Sequence, residues 1–87
     1  MARYPRLNNW LIFKRKNEYE YEVIDWLTEN EYTMGVDAAH FARKLNGKRN
    51  PFQIDTKLSR HDVQEILNKL DELGLIRHNN ILLKEFG

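Results

Sequence analysis

The chain has 87 residues, 41% hydrophobic and 31% charged, with fourteen Lys and Arg against thirteen Asp and Glu for a net charge of +1. That length and balance fit one ordinary folded domain spanning residues 1–87 with a single core, and they exclude a strongly basic nucleic-acid footprint. There is no Cys, which excludes disulfides, thiolate metal sites and iron–sulfur clusters; no apolar run approaches the roughly 18 residues of a membrane span, and no signal-peptide pattern opens the chain, so the expected location is the cytoplasm.

The charges are sorted. Arg3, Arg6, Lys14, Arg15 and Lys16 precede any acid, and Glu18, Glu20, Glu22, Asp25, Glu29 and Glu31 then follow without a base. Such blocks form either interaction surfaces or two adjacent strands with facing charges, and the second reading is preferred.

Asn9–Lys14 is short and rich in β-formers, which predicts a first strand. Tyr19, Tyr21 and Val23 alternate with Glu20 and Glu22, which predicts a second strand with those three on one face. Tyr19, Val23, Trp26 and Leu27 also match helical spacing, but β-formers dominate and no cap precedes them. Thr28–Asn30 reads as a turn, and Glu31–Met34 as a third strand ended by Gly35.

From Val36 the pattern is helical. Asp37 is the expected N-cap, with Ala38, Ala39, Phe41, Ala42 and Leu45 as the apolar stripe and Asn46-Gly47 as the stop. Pro51 suits the first turn of a second helix over Pro51–Thr56. The strongest local signal is Ser59–Leu73: Ser59 caps, Asp62 complements the helix dipole, and Val63, Ile66, Leu67, Leu70 and Leu73 form one face before Gly74. Leu75-Ile76-Arg77, a polar turn at His78–Asn80 and Ile81–Leu83 read as a closing hairpin. The expected fold is therefore α+β: a small winged helix-turn-helix with an N-terminal three-stranded antiparallel sheet, three helices and a short C-terminal hairpin.

This order resembles the PqqD-like domain, the recognition element for ribosomally made, post-translationally modified precursor peptides. Pro5 and Leu7, Val23 and Asp25, the run Ala39-His40-Phe41-Ala42-Arg43-Lys44-Leu45-Asn46-Gly47, Pro51, and Val63, Leu67, Leu70 with Gly74-Leu75-Ile76 carry the resemblance, from Pro5 to Arg77. It implies a non-catalytic domain without cofactor that binds a leader peptide by strand addition and presents it to a modifying enzyme, often of the radical SAM type. That enzyme would act in cis or in trans. A radical SAM enzyme needs a Cys triad, so the chain is expected to be a stand-alone chaperone or the N-terminal domain of a longer enzyme.

The resemblance places the docking edge at Glu31, Tyr32, Thr33 and Met34. Helical angles offer two margins of the last helix as the groove wall. Leu67 with Arg60, Gln64 and Asp71 is preferred, and Leu73 with Asp62 and Lys69 is the alternative. His40, His61 and His78 lack metal spacing, and Asp25 with Glu29 lacks a catalytic setting, so neither a metal nor a catalytic site is expected. Trp10 and Trp26 read as sheet-packing residues. The rival function is a winged-helix DNA-binding regulator using Arg60, His61, Gln64 and Asn68, with Arg43, Lys44, Lys48 and Arg49 on phosphates. Asp62, Glu65, Asp71 and Glu72 on the same helix repel phosphates and disfavour it.

Overall fold

The computed structural model describes residues 4–78. The order is β1 (Pro5–Leu7), β2 (Leu11–Arg15), β3 (Glu20–Asp25), β4 (Asn30–Gly35), α1 (Val36–Ala42), a three-residue 3₁₀ turn (Pro51–Gln53), α2 (Arg60–Glu72) and β5 (Ile76–His78). The strands form two antiparallel sheets, β1-β5 and β2-β3-β4. No helix among the described residues is long and apolar enough to cross a membrane.

The expected winged helix-turn-helix with three helices and one N-terminal sheet is overturned: the described chain has two α-helices and five strands in two sheets. Two features account for the difference, one local and one long-range. Over Pro51–Thr56 only one 3₁₀ turn forms, with Asn50 Oδ1 accepting from the Phe52 N–H at 3.0 Å. Its i, i+3 repeat sends Pro51 and Ile54 into the core together, and Ile54 then turns extended (φ −73°, ψ 133°), so no α-helix propagates. The Pro5–Leu7 segment is the second cause. It does not lead into the three-stranded sheet but pairs with Ile76–His78, Leu7 opposite Ile76. The expected return strand at Ile81–Leu83 lies outside the described residues.

β2, β3 and β4 are consecutive and antiparallel, with Phe13 opposite Val23 and Val23 opposite Tyr32. Period-two alternation sends Leu11, Phe13, Tyr21, Val23, Tyr32 and Met34 to one face and Ile12, Lys14, Glu22, Glu31 and Thr33 to the other. Lys14 lies opposite Glu22, so the basic and acidic blocks do meet across the ladder. The bend at residues 17–19, in which Asn17 Oδ1 accepts from the Tyr19 N–H at 2.8 Å, leaves Tyr19 exposed and delays β3 to Glu20.

β4 runs into α1 with no loop. Gly35 is the N-cap and makes no side-chain cap bond, so Asp37 falls inside the first turn instead of capping. The helix closes at Ala42, short of the expected Leu45, because the chain must come back to β1: Leu7 N–H donates to the Leu45 carbonyl at 2.9 Å and Gly47 N–H to that of Pro5 at 3.1 Å. Phe41, Ala42, Leu45, Ile54, Val63, Leu67, Leu70, Leu75 and Ile76 make the buried core, with Leu11, Phe13, Tyr32 and Met34 of the sheet packed on it.

α2 is bounded as its sequence demands. Ser59 Oγ accepts from the Asp62 N–H at 3.1 Å. At the other end Gly74 (φ +73°) donates to the Asp71 carbonyl at 3.0 Å and Leu75 to that of Leu70 at 2.9 Å, a Schellman closure. Asn8 locks onto this end, its Nδ2 donating to the Gly74 carbonyl at 2.8 Å. A Cβ on Gly74 would meet nothing within 4 Å, so Gly74→Ala suffers only from the left-handed backbone. It should lower stability by about 1–2 kcal/mol. A urea melt checks this, and an unchanged midpoint would show that the closure relaxes at no cost.

Candidate functional site

Among the described residues, strand β4 is one margin of its sheet, hydrogen-bonded only to β3. The direction of its backbone groups follows from one bond: Val36 N–H donates to the Tyr19 carbonyl at 3.0 Å. In an antiparallel ladder the bonding residues alternate. Asn30, Tyr32 and Met34 therefore face β3, and Glu31 and Thr33 turn their N–H and C=O groups to the open side. Side chains alternate at right angles to this, with Tyr32 and Met34 half-buried toward the helices and Glu31 and Thr33 exposed.

The hairpin before β4 is held firmly. Asp25 is 4% exposed, and its Oδ1 accepts from the Leu27 N–H (3.1 Å), the Thr28 N–H (3.3 Å) and Trp10 Nε1–H (3.1 Å). Its carboxylate thus staples the turn at residues 26–29 and ties Trp10 to β3, a structural use of the acid. Arg77 lies over the Trp10 ring, 4.9 Å from its centroid. Glu29 closes the turn at φ 63°, a left-handed position that costs a side-chain-bearing residue about 1–2 kcal/mol. Trp26, expected to pack on the sheet, projects instead from this turn, and with Leu27 it is exposed.

Beside the open edge of β4 runs a groove of ≈ 320 Å³. Tyr32, Thr33 and Met34 form one wall, Ala38 of α1 closes one side, and Ile66, Lys69, Leu70 and Leu73 of α2 form the other wall. It is apolar at its floor and, among the described residues, carries one cation, Lys69, at its rim.

The structure brings Tyr32, Thr33 and Met34 of the expected edge to this groove, with Glu31 on the same strand. The α2 residues expected beside them are elsewhere. Gln64, Leu67 and Asp71 line a different groove with Tyr4, Pro5, Pro51 and Phe52, and the Arg60 guanidinium stacks on Phe52 at 4.6 Å. The α2 margin that faces β4 is that of Ile66, Lys69 and Leu73, of which Leu73 and Lys69 were the alternative. Ala38, expected as part of the apolar stripe of α1, lines the groove instead, and a small residue just after the strand is the signal for a space left open there. His40 lies edge-on to Tyr21 at 5.7 Å and His61 pairs with Glu65 at 3.3 Å on the surface of α2. Among the described residues no three of His, Asp and Glu gather in a way that could hold a metal.

Comparison with protein-family models, with curated proteins and with solved structures returns no match for the chain.

Proposed function

We propose that this domain is a PqqD-like peptide-capture module that binds the leader segment of a ribosomally made precursor peptide in the cytoplasm and presents it to a modifying enzyme, in cis or in trans, without catalysing a reaction itself. The observation that carries the reading is the pairing of an open strand edge with an adjoining apolar groove. Glu31 and Thr33 offer backbone donors and acceptors that no other described strand pairs, and the cleft between β4 and α2 lies directly beside them. A guest strand gains affinity from the backbone ladder, and alternate side chains of the guest enter the cleft and supply selectivity. Met34 and Tyr32 provide a floor that adapts to differing apolar side chains. Radical SAM enzymes are the partner class that the sequence resemblance favours.

The DNA-binding alternative wants a helix over Glu18–Asn30, where β3 and its turn lie. One of its four phosphate-contacting candidates is also occupied: Lys44 Nζ donates to the Asp55 carbonyl at 2.9 Å.

The test is a titration of the isotopically labelled domain with a synthetic leader from a precursor gene adjacent to its own. Amide shifts should concentrate on Glu31–Met34 and on Ile66–Leu73. Shifts that gather instead around Gln64, Leu67 and Asp71 would move the site to the other margin of α2. The absence of any shift would end the leader reading for that peptide.

A further inference from the structure

Strand β2 forms the other margin of the three-stranded sheet, opposite β4. Lys16 N–H donates to the Glu20 carbonyl at 3.0 Å, so the same alternation turns the backbone groups of Leu11, Phe13 and Arg15 away from β3; the Leu11 N–H donates to the Asn8 carbonyl at 3.5 Å, which leaves Phe13 and Arg15 as the open part of the edge. Beside this edge is a second groove of ≈ 390 Å³, with Leu11, Phe13 and Leu45 as its apolar floor and Arg6, Arg43 and Asn46 around it. Among the described residues no Asp or Glu lines it.

The cations here are arranged with some precision. Arg43 lies over the Phe13 ring, 5.6 Å from its centroid, and Arg15 over Tyr21 at 5.4 Å, the two rings meeting edge to face at 6.5 Å. Arg15 spends its donors locally, Nε on the Asn17 carbonyl (2.7 Å) and Nη2 on that of Glu18 (3.1 Å). Arg43 and Arg6 are exposed and neither is paired with a carboxylate among the described residues. A guanidinium stacked on a ring is held in one plane while its N–H edge stays available, the geometry that grips a carboxylate bidentately.

We propose that the β2 edge is a second docking surface, for an acidic extended segment of a protein partner, whose carboxylates meet Arg43 and Arg6 while its apolar side chains rest on Leu11 and Phe13. Charge complementarity chooses this occupant: among the described residues the groove has two arginines without a carboxylate partner and no acid. A single-stranded nucleic acid fits less well, because the bases need bare aromatic faces and guanidinium groups already cover Phe13 and Tyr21. Since β2 and β4 are opposite margins of one sheet, a partner here leaves the β4 groove free. The inference stands whether or not β4 takes a leader peptide.

The experiment uses a fluorescein-labelled short peptide repeating glutamate-serine-valine-serine, which in an extended strand puts glutamates and valines on one face, followed by anisotropy against the full chain. Saturable binding that weakens as salt rises is expected. Arg43→Gln and Arg6→Gln should each weaken it by about fivefold or more, the loss of roughly one charge-assisted contact. Arg43→Lys, which keeps the charge but not the fork, should fall between wild type and Arg43→Gln. Thr33→Pro on the other edge should leave it unchanged. Urea melts establish that each variant is folded, and Arg6→Gln, on an exposed side chain, serves if Arg43→Gln is not. The proposal is overturned by an absence of binding, by indifference to both glutamine variants, by loss of binding in Thr33→Pro, or by tighter binding of a thymidine oligonucleotide of matched length.

Discussion

Thr33→Pro should weaken leader-peptide binding about tenfold or more, measured by titration calorimetry, while the urea-unfolding midpoint moves little. The Thr33 N–H points away from β3, so removing it deletes no bond of the β3–β4 ladder. A guest strand, by contrast, loses a backbone donor and meets the pyrrolidine ring where its own backbone should lie. One such bond is worth about 0.5–1.5 kcal/mol, and with the steric cost added the sum passes the roughly 1.4 kcal/mol that makes a factor of ten. Met34→Asp is a poorer probe, because Met34 packs against the core and a carboxylate there would disturb the fold as well. If Thr33→Pro binds the leader with wild-type affinity, β4 is not the docking edge.

Leu70→Ala should cost about 2–5 kcal/mol of stability. Leu70 is 2% exposed, belongs to the buried core, and forms part of the floor of the β4 groove. Its carbonyl also accepts the Leu75 N–H that closes α2, and Leu75 is itself fully buried. Truncation therefore leaves a cavity at the point where helix, sheet and β5 meet, and the surroundings are tied by the Asn8 bond to the Gly74 carbonyl and cannot readily collapse. The measurement is a urea melt with unchanged slope and a lowered midpoint. A loss below about 1 kcal/mol would mean that the site relaxes and that Leu70 is not a keystone of the core. Because Leu70 lines the groove as well, leader affinity should be measured only where the variant is demonstrably folded.

Much of the candidate edge was legible beforehand. Glu31, Tyr32, Thr33 and Met34 stand out because β-forming residues end abruptly at Gly35, and Val23 stands out through alternation; these are signals contained within a few neighbouring residues. The opposite wall was less accessible. Helical angles show that Val63 and Leu70 point inward, but Leu67 and Leu73 flank them on either side, and both flanks are apolar enough to serve. The direction in which β4 approaches α2 selects Ile66, Lys69 and Leu73 and turns Gln64, Leu67 and Asp71 toward Pro51 and Phe52.

Local chemistry is sufficient for α2, whose Ser59 cap and Gly74 closure are made within a few residues, and for the hairpin joining β3 to β4. It is insufficient wherever partners are distant along the chain. Pro5–Leu7 finds Ile76–His78, and Asn8 finds Gly74, across most of the domain's length. That pairing draws Leu45 back to Leu7, ends α1 at Ala42, and splits the strands into two sheets in place of one. Residue propensities act over a turn or a strand, whereas such long-range pairings are chosen by which arrangement buries Leu45, Leu75 and Ile76 together while satisfying the backbone groups beside them.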